Sequence, residues 1–311
     1  MASVSIILNV YNGISTLKET LDSVISQTWG DWELIFWDDG SVDGSADLLS
    51  EYSDPRIRYF PSKSDGPAGL GAARRMALEH ATGDWVAFVD QDDLWHPQKL
   101  EWQMALTGEE DVGLIYGRTL TFGTGKDNID YDHRHEYQAL PEGDIFQQLF
   151  VDSCFIAISS TLFSRKAIES VDPIPVSISV SPDYYLYLAI AKKYTVRAVQ
   201  NVICYYRLHA GNMSHYSGIR MQTEILELID CWQDNITPDL AKRRRKVHNT
   251  VLALHQIRGG ATRLLGIRTL FMQGSIPYLL SRPFARLYRY LRRFFVMPHW
   301  KRYADMTNQA G

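Results

Sequence analysis

The stretch Trp85-Val-Ala-Phe-Val-Asp90-Gln-Asp92-Asp93-Leu-Trp95 decides how this chain is read. Five apolar residues run into three carboxylates within four positions. A short continuous apolar run is the signature of a strand covered on both faces, as in a parallel sheet. Carboxylates crowded at its end repel one another, and a bound divalent cation relieves that repulsion. Mg²⁺ and Mn²⁺ take few carboxylates and fill their shell with waters and substrate phosphates, so the pattern suggests a metal–diphosphate site. A solvated acidic turn ahead of a helix fits the same residues, because Asp is a good N-cap.

On either side of this run, strand-like and helix-like segments alternate. Val4–Val10 is a short β-rich run, followed by a helical face of Leu17, Leu21, Val24 and Ile25. Glu33–Trp37 is a second strand, and Asp43-Gly44-Ser45 offers caps for a helix through Leu48 and Leu49. Ile57–Phe60 is a third strand, Gly69–Ala81 an alanine-rich helix, and Trp85–Val89 the fourth strand. Repeated strand–helix units imply right-handed crossovers and a mostly parallel sheet. The fold class is therefore α/β. Ligands of such sheets bind outside the carboxyl ends of the strands.

Further along, Val112–Tyr116 and Phe155–Phe163 hold strand candidates, Asp144–Phe150 and Pro182–Lys192 look helical, and Thr195–Ala198 and Val202–Tyr206 read as two short strands. The polar stretch Gly123–Glu142 reads as a long loop and a candidate lid. From about Tyr216 the chain reads as helical. Near the end Phe284, Leu287, Tyr288, Leu291 and Phe295 recur at helical spacing, with Arg282, Arg286, Arg289 and Arg293 on another face.

The net charge of −4 over 311 residues hides a split: residues 240–303 hold 15 Lys or Arg and no Asp or Glu, whereas residues 1–239 hold 17 basic and 35 acidic residues. A basic face beside an apolar one suits an anionic membrane surface; a solvated face or a nucleic-acid surface are the other readings, and nucleic acid is not expected. Cys154, Cys204 and Cys231 are odd in number and far apart, which speaks against a disulfide framework or a zinc site and for a reducing cytoplasm. No signal peptide is expected, since the first apolar run lacks a basic lead-in, and no apolar run reaches the roughly 18 residues of a spanning helix.

The strand ends offer complementary chemistry. Tyr11, in Asn9-Val10-Tyr11-Asn12, can stack on a base. Asp38 and Asp39 can accept hydrogen bonds from a base N–H or a ribose hydroxyl. Asp90 and Asp92 can hold a metal. Glycines in Gly66-Pro67-Ala68-Gly69-Leu70-Gly71 allow close approach of phosphate, with Arg74 in the first helical turn as a partner. Together they describe a nucleoside diphosphate lying across the sheet edge.

Five motifs then carry a resemblance, in this order: Ser5-Ile-Ile-Leu-Asn-Val-Tyr-Asn12, Asp38-Asp-Gly-Ser-Val-Asp-Gly-Ser45, Ala73-Arg74, Gly83-Asp84-Trp-Val-Ala-Phe-Val-Asp-Gln-Asp-Asp93 and Tyr206-Arg-Leu-His-Ala-Gly-Asn-Met-Ser214. The chain resembles the family 2 glycosyltransferases of GT-A fold over roughly residues 4–214. The resemblance implies an inverting, metal-dependent transferase domain over 1–215. Its nucleotide-sugar-binding half would be 1–117, its acceptor-binding half 118–215, and 216–311 a basic helical extension.

Carried across by position, Val10, Tyr11, Asn12, Asp38, Asp39, Gly69, Arg74, Asp90 and Gln91 are expected at the nucleotide sugar. Asp92, Asp90 and His209 are expected at Mn²⁺ or Mg²⁺, with Asp92 the direct ligand. Asp183, in Ser181-Pro182-Asp183-Tyr184, matches the catalytic base, although many relatives have Glu-Asp where this chain has Pro-Asp; a helix cap fits the same residue. Trp95 is expected to form a wall of the acceptor site. The implied donor is a UDP-sugar, or a dTDP-sugar, and the implied acceptor a glycan or lipid-linked glycan in cell-surface polysaccharide synthesis, at the inner face of the cell membrane. A sugar nucleotidyltransferase is the rival enzyme class, but Asn12-Gly13 lacks the basic triphosphate partner it needs. A non-catalytic protein using the basic tail is the rival outside enzymes.

Overall fold

The computed structural model describes residues 3–63, 66–109, 111–123, 139–152, 154–175, 177–209, 212 and 218–258. The expected lid is described only at its ends, and the Phe284–Phe295 helix lies outside the described residues. The chain divides into two compact units. The first comprises Met1–Pro175 and Pro182–Leu208, and the second Val176–Ser181 and His209–Gly311.

Among the described residues the first unit is built on an eight-stranded sheet. Its strands are β1 (Val4–Val10), β2 (Trp32–Asp38), β3 (Ile57–Pro61), β4 (Trp85–Asp90), β5 (Leu94–Trp95), β6 (Val112–Gly123), β7 (Leu162–Ser164) and β8 (Thr195–Leu208), in the order β3-β2-β1-β4-β7-β6-β8-β5. β3, β2, β1 and β4 are mutually parallel, and β7 joins β4 and β6 antiparallel. Every residue of β2 is buried, as are all but one of β1, which is why both read as apolar runs rather than alternating ones. Helix α1 (Ile14–Ile25) packs Leu17, Leu21 and Val24 into the same core. Helices α2 (Leu70–Leu78), α3 (Lys99–Met104), α4 (Phe146–Asp152), α5 (Arg165–Ser170) and α6 (Pro182–Ala191) complete the unit.

Three expectations change. The segment after Asp43-Gly44-Ser45 is a 3₁₀ turn, Asp47–Glu51, not an α-helix, because the side chains of Asp43 and Ser45 cap α1 instead. The two short strands expected at 195–206 are one strand, β8: Gln200 and Asn201 form an exposed irregularity where the pairing with β6 shifts between Gly117 and Arg118. Within Phe155–Phe163 only Leu162 and Phe163 enter a strand, preceded by a 3₁₀ turn at Ile158–Ser160. Cys154, Cys204 and Cys231 are free thiols.

In the second unit, helices α7 (Gly218–Cys231) and α8 (Pro238–Arg258) pack together. The basic run of α8 is divided: Lys242, Arg243 and Lys246 are exposed, and Arg244 and Arg245 are not. Arg243 pairs with Asp239, Arg245 with Asp230 and Gln233, and Arg244 is buried. Among the described residues no helix is long and apolar enough to cross a membrane.

Candidate active site

Three strand tips define the candidate site. β1 lies between β2 and β4, with Val10 paired to Asp38 and Asn9 to Asp90. That register sets residues 10–12, Asp38–Asp39 and Asp90–Asp93 side by side at the carboxyl edge of the sheet.

The loops after β1 and β2 are tied to each other. Asn12 takes a left-handed φ of 51°, a conformation Asn tolerates. Its N–H donates to Ser41 Oγ (3.0 Å), and its Oδ1 accepts from Val42 N–H (2.9 Å). Gly13 N–H donates to Ser45 Oγ (2.9 Å) and Ile14 N–H to Asp43 Oδ2 (3.0 Å). The open end of α1 is thus capped from the neighbouring loop. Burial pushes the Asp43 carboxyl up, but hydrogen bonds from Ser45 and Ile14 outweigh it and hold it below the usual range.

Asp38 and Asp39 differ. Asp38 is engaged: Ser41 N–H donates to its Oδ1 (2.8 Å) and the Tyr59 hydroxyl to its Oδ2 (3.1 Å). Asp39 donates its N–H to the Val10 carbonyl (2.8 Å), but the residue is 4 % exposed and its Oδ1 has no hydrogen-bond partner. An unpaired buried acceptor costs about 1–3 kcal/mol, a cost that a ligand N–H or O–H at the strand tip removes. Val10 is buried and contributes its carbonyl. Tyr11 is 44 % exposed and offers its ring.

Gln91 supports Tyr11. Tyr11 N–H donates to Gln91 Oε1 (2.9 Å), and Gln91 Nε2 donates to the Tyr11 carbonyl (3.2 Å). The Gln91 carbonyl accepts from the Thr16 and Thr20 hydroxyls. A Cβ on Gly13 would lie 2.5 Å from Gln91 Oε1, so glycine makes room for this clamp.

The charges around Asp90 form a second group. Arg74, on α2 just after Gly69 (φ 84°), donates from Nη2 to Asp90 Oδ1 at 2.6 Å. Burial works against the charged guanidinium, but Asp90 and Asp183 outweigh it and hold Arg74 protonated. Arg74, expected at phosphate, therefore meets a carboxylate of the same site. Asp183, half-buried in the first turn of α6, accepts from Tyr184 N–H (2.9 Å). Burial pushes its carboxyl up, with Arg74 opposing and Asp90 adding.

Asp93 is structural. It is 1 % exposed, takes the Ser159 hydroxyl at 2.5 Å and Arg207 N–H at 3.0 Å, and is pushed well up by burial and by the charges of Asp90 and Asp92. Arg207 also donates from Nε to the Asp92 carbonyl (2.8 Å) and from Nη2 to Glu19 (2.8 Å). Sequence reasoning missed this brace. The motif around Arg207 gives it no role, and nothing in Ile158-Ser159-Ser160 distinguishes the serine that meets Asp93.

Trp95 corrects an expectation. It is 3 % exposed, and its indole N–H donates to the Ser159 carbonyl at 2.7 Å. An aromatic wall for a glycan needs an exposed face, so Trp95 underlies the acidic turn instead of lining an acceptor site. His209 belongs to the second unit, where its N–H donates to Asn212 Oδ1 (2.6 Å).

Among the described residues no three His, Cys, Asp or Glu side chains form a group able to hold a metal ion. The donors that are present nevertheless fit Mg²⁺ or Mn²⁺. These ions bind through one or two carboxylates and a substrate diphosphate, and the strand-tip register sets Asp90 and Asp92 at the edge where such a diphosphate would lie.

Comparison with known proteins agrees with this geometry. The model described as Glycosyl transferase family 2 matches residues 5–172. The chain is 29 % identical over 228 residues to the UDP-Glc:alpha-D-GlcNAc-diphosphoundecaprenol beta-1,3-glucosyltransferase WfgD of Escherichia coli, covering 72 % of this chain and 85 % of that protein. It is 30 % identical over 232 residues to WfaP of Escherichia coli, a protein of the same described activity, covering 74 % and 87 %. Among solved structures, mannosyltransferase PcManGT from Pyrobaculum calidifontis in complex with GDP-Man and Mn²⁺ matches with a TM-score of 0.63 over 94 % of this chain and 84 % of that one, at 17 % identity. The fold is GT-A.

Proposed function

We propose that this chain, which belongs to glycosyl transferase family 2, is an inverting enzyme that moves a sugar from a UDP-sugar to a hydroxyl of a lipid-linked diphosphate glycan. The observation that carries the nucleotide is the unpaired Asp39 Oδ1 beside exposed Tyr11. A pyrimidine supplies both what Asp39 lacks, a ring N–H, and what Tyr11 can cover, a flat face. UDP-glucose and a lipid-linked acceptor are the first choices, because WfgD and WfaP are described with both.

The chain's own residues divide the reaction among them. Gln91 presents Tyr11, and Tyr11 and Asp39 hold the base. Arg74 fixes Asp90 and holds opposite charge between Asp90 and Asp183. Asp183 takes the proton of the acceptor hydroxyl. As it does, the acceptor oxygen bonds to the anomeric carbon, the bond from that carbon to the diphosphate oxygen breaks, and UDP leaves. One displacement inverts the anomeric centre. A base is more effective when its pKa is raised toward working pH, the direction in which burial moves Asp183. Asp92 and Asp90 would hold Mn²⁺ or Mg²⁺, which would supply charge neutralisation on the leaving diphosphate.

The test is thermal stability with UDP-glucose, with and without Mn²⁺, in the native chain and in Asp92→Ala. The native chain is expected to be stabilised only when both are present, and the variant not at all. Metal-independent stabilisation of both proteins would sink the assignment.

A further inference from the structure

Ser159 stands in the 3₁₀ turn Ile158–Ser160, outside every motif that carries the chemistry, and is fully buried. Its hydroxyl works in both directions. It accepts from Asp90 N–H (3.1 Å) and donates to Asp93 Oδ2 (2.5 Å). Asp93 N–H in turn donates to the Asp90 carbonyl (3.1 Å). A hydroxyl can donate and accept at once, so one oxygen closes the turn that carries Asp92. From β8, Arg207 donates its N–H to Asp93 Oδ1 (3.0 Å) and its Nε–H to the Asp92 carbonyl (2.8 Å).

Ser159 is itself held by a buried polar network. The carbonyls of three successive residues each accept one buried side-chain donor: Ser159 from Trp95 Nε1 (2.7 Å), Ser160 from Gln103 Nε2 (2.9 Å) and Thr161 from Lys99 Nζ (3.1 Å). Lys99 Nζ also donates to Gln103 Oε1 (2.7 Å), one turn further along α3, and both residues are fully buried. Burying an ammonium and an amide is costly, and apolar side chains could fill such space. A satisfied polar network adds what they do not, a single orientation for the segment it holds. Here that segment is 159–161, and its orientation sets Ser159 Oγ against the acidic turn. All these residues belong to the first unit.

We infer that Ser159 is a positioning residue for the divalent cation: by joining Asp90 N–H to the Asp93 carboxylate it sets where the carboxylates of Asp90 and Asp92 stand. The inference rests on the reading of Asp90 and Asp92 as the residues that hold the cation. Groups that orient a metal's ligands contribute roughly 10–100-fold to its affinity.

The test uses the full chain in two arms. Without metal or nucleotide, hydrogen exchange in Ser159→Ala is expected to rise about tenfold over residues 90–93, the loss of one hydrogen bond, and to stay unchanged over β1 and β2. With UDP present, Mn²⁺ is titrated and the free ion read by electron paramagnetic resonance; Ser159→Ala should bind Mn²⁺ about tenfold or more weakly. Ser159→Cys fills similar space with a weak hydrogen-bonding group and should change in the same direction, so the test does not depend on alanine folding. Ser159→Thr keeps the hydroxyl and should bind Mn²⁺ as the native chain does. Unchanged exchange over 90–93, or native Mn²⁺ affinity in the alanine and cysteine variants, overturns the inference and leaves the metal reading standing. A native chain that takes up no Mn²⁺ beside UDP overturns the metal reading and the inference with it.

Discussion

Both ends of the parallel sheet hold buried carboxylates, and they are treated in opposite ways. At the amino end, Glu33 on β2 accepts the Ser5 hydroxyl (2.7 Å), both the N–H and the hydroxyl of Thr82 (2.6 and 2.7 Å) and Arg58 Nη1 (2.5 Å). The packing there is closed: a Cβ on Gly83 would lie 2.7 Å from the Ser5 backbone nitrogen. At the carboxyl end, Asp39 is equally buried and its Oδ1 has no partner, while Asp90 and Asp92 add charge that helps push Asp93 upward. A satisfied carboxylate contributes to folding. One left without a donor costs stability and is kept where a ligand completes it.

That contrast predicts a separation of effects. At the carboxyl end, Asp183→Asn is expected to lower kcat on the order of 1000-fold, within the range for loss of a general base, with UDP affinity and melting temperature unchanged. Steady-state transfer beside calorimetric titration with UDP measures it, and retained turnover would remove Asp183 from the role. At the amino end, Glu33→Gln is expected to cost about 3 kcal/mol of stability and leave UDP affinity alone. Burial pushes Glu33 up, but the bonds from Ser5, Thr82 and Arg58 outweigh it and bring it below its ordinary 4.5. Its contribution is therefore complete above that pH and lost as pH falls through the lowered value. Denaturant unfolding of both proteins should show a constant gap at neutral pH that closes in acid; a gap that widens in acid would refute the account of Glu33.

The smallest effect lies beneath the site. Lys99 is fully buried, donates to Gln103 Oε1 (2.7 Å) and the Thr161 carbonyl (3.1 Å), and lies 4.0 Å from the centre of the Trp95 ring. Burial lowers its pKa from 10.5 to about 7. The unfolded chain thus binds the extra proton between those values, and the native fold gains stability as pH rises through that window. Lys99→Met removes this dependence. Its stability relative to the native chain should be more favourable at pH 7 than at pH 10. Parallel melting curves at the two pH values check it, and a difference of the opposite sign would contradict it.

Much of this was legible in the sequence, for physical reasons. Buried parallel strands read as apolar runs, so β1, β2 and β4 were plain, and parallel register forces their acidic ends together. The fate of each acid was not legible. Asp38, Asp39, Asp90, Asp92 and Asp93 look alike in one dimension, yet Asp38 is spent on Ser41 and Tyr59, Asp93 on Ser159 and Arg207, and Asp39 keeps an open oxygen. Asp43 and Ser45 misled for a related reason. Local spacing suggested caps for the next helix, whereas tertiary pairing gave them to α1. Trp95 misled because position beside an acidic turn says nothing about which side of the backbone its ring occupies.

The most direct test is calorimetric titration of UDP, with Mn²⁺ present, into the native chain and Asp39→Ala, beside their melting temperatures. With Oδ1 kept open for the base, the variant should melt no lower than the native chain and bind UDP about tenfold or more weakly. Equal affinity in the two proteins, or no binding by the native chain, would contradict the account.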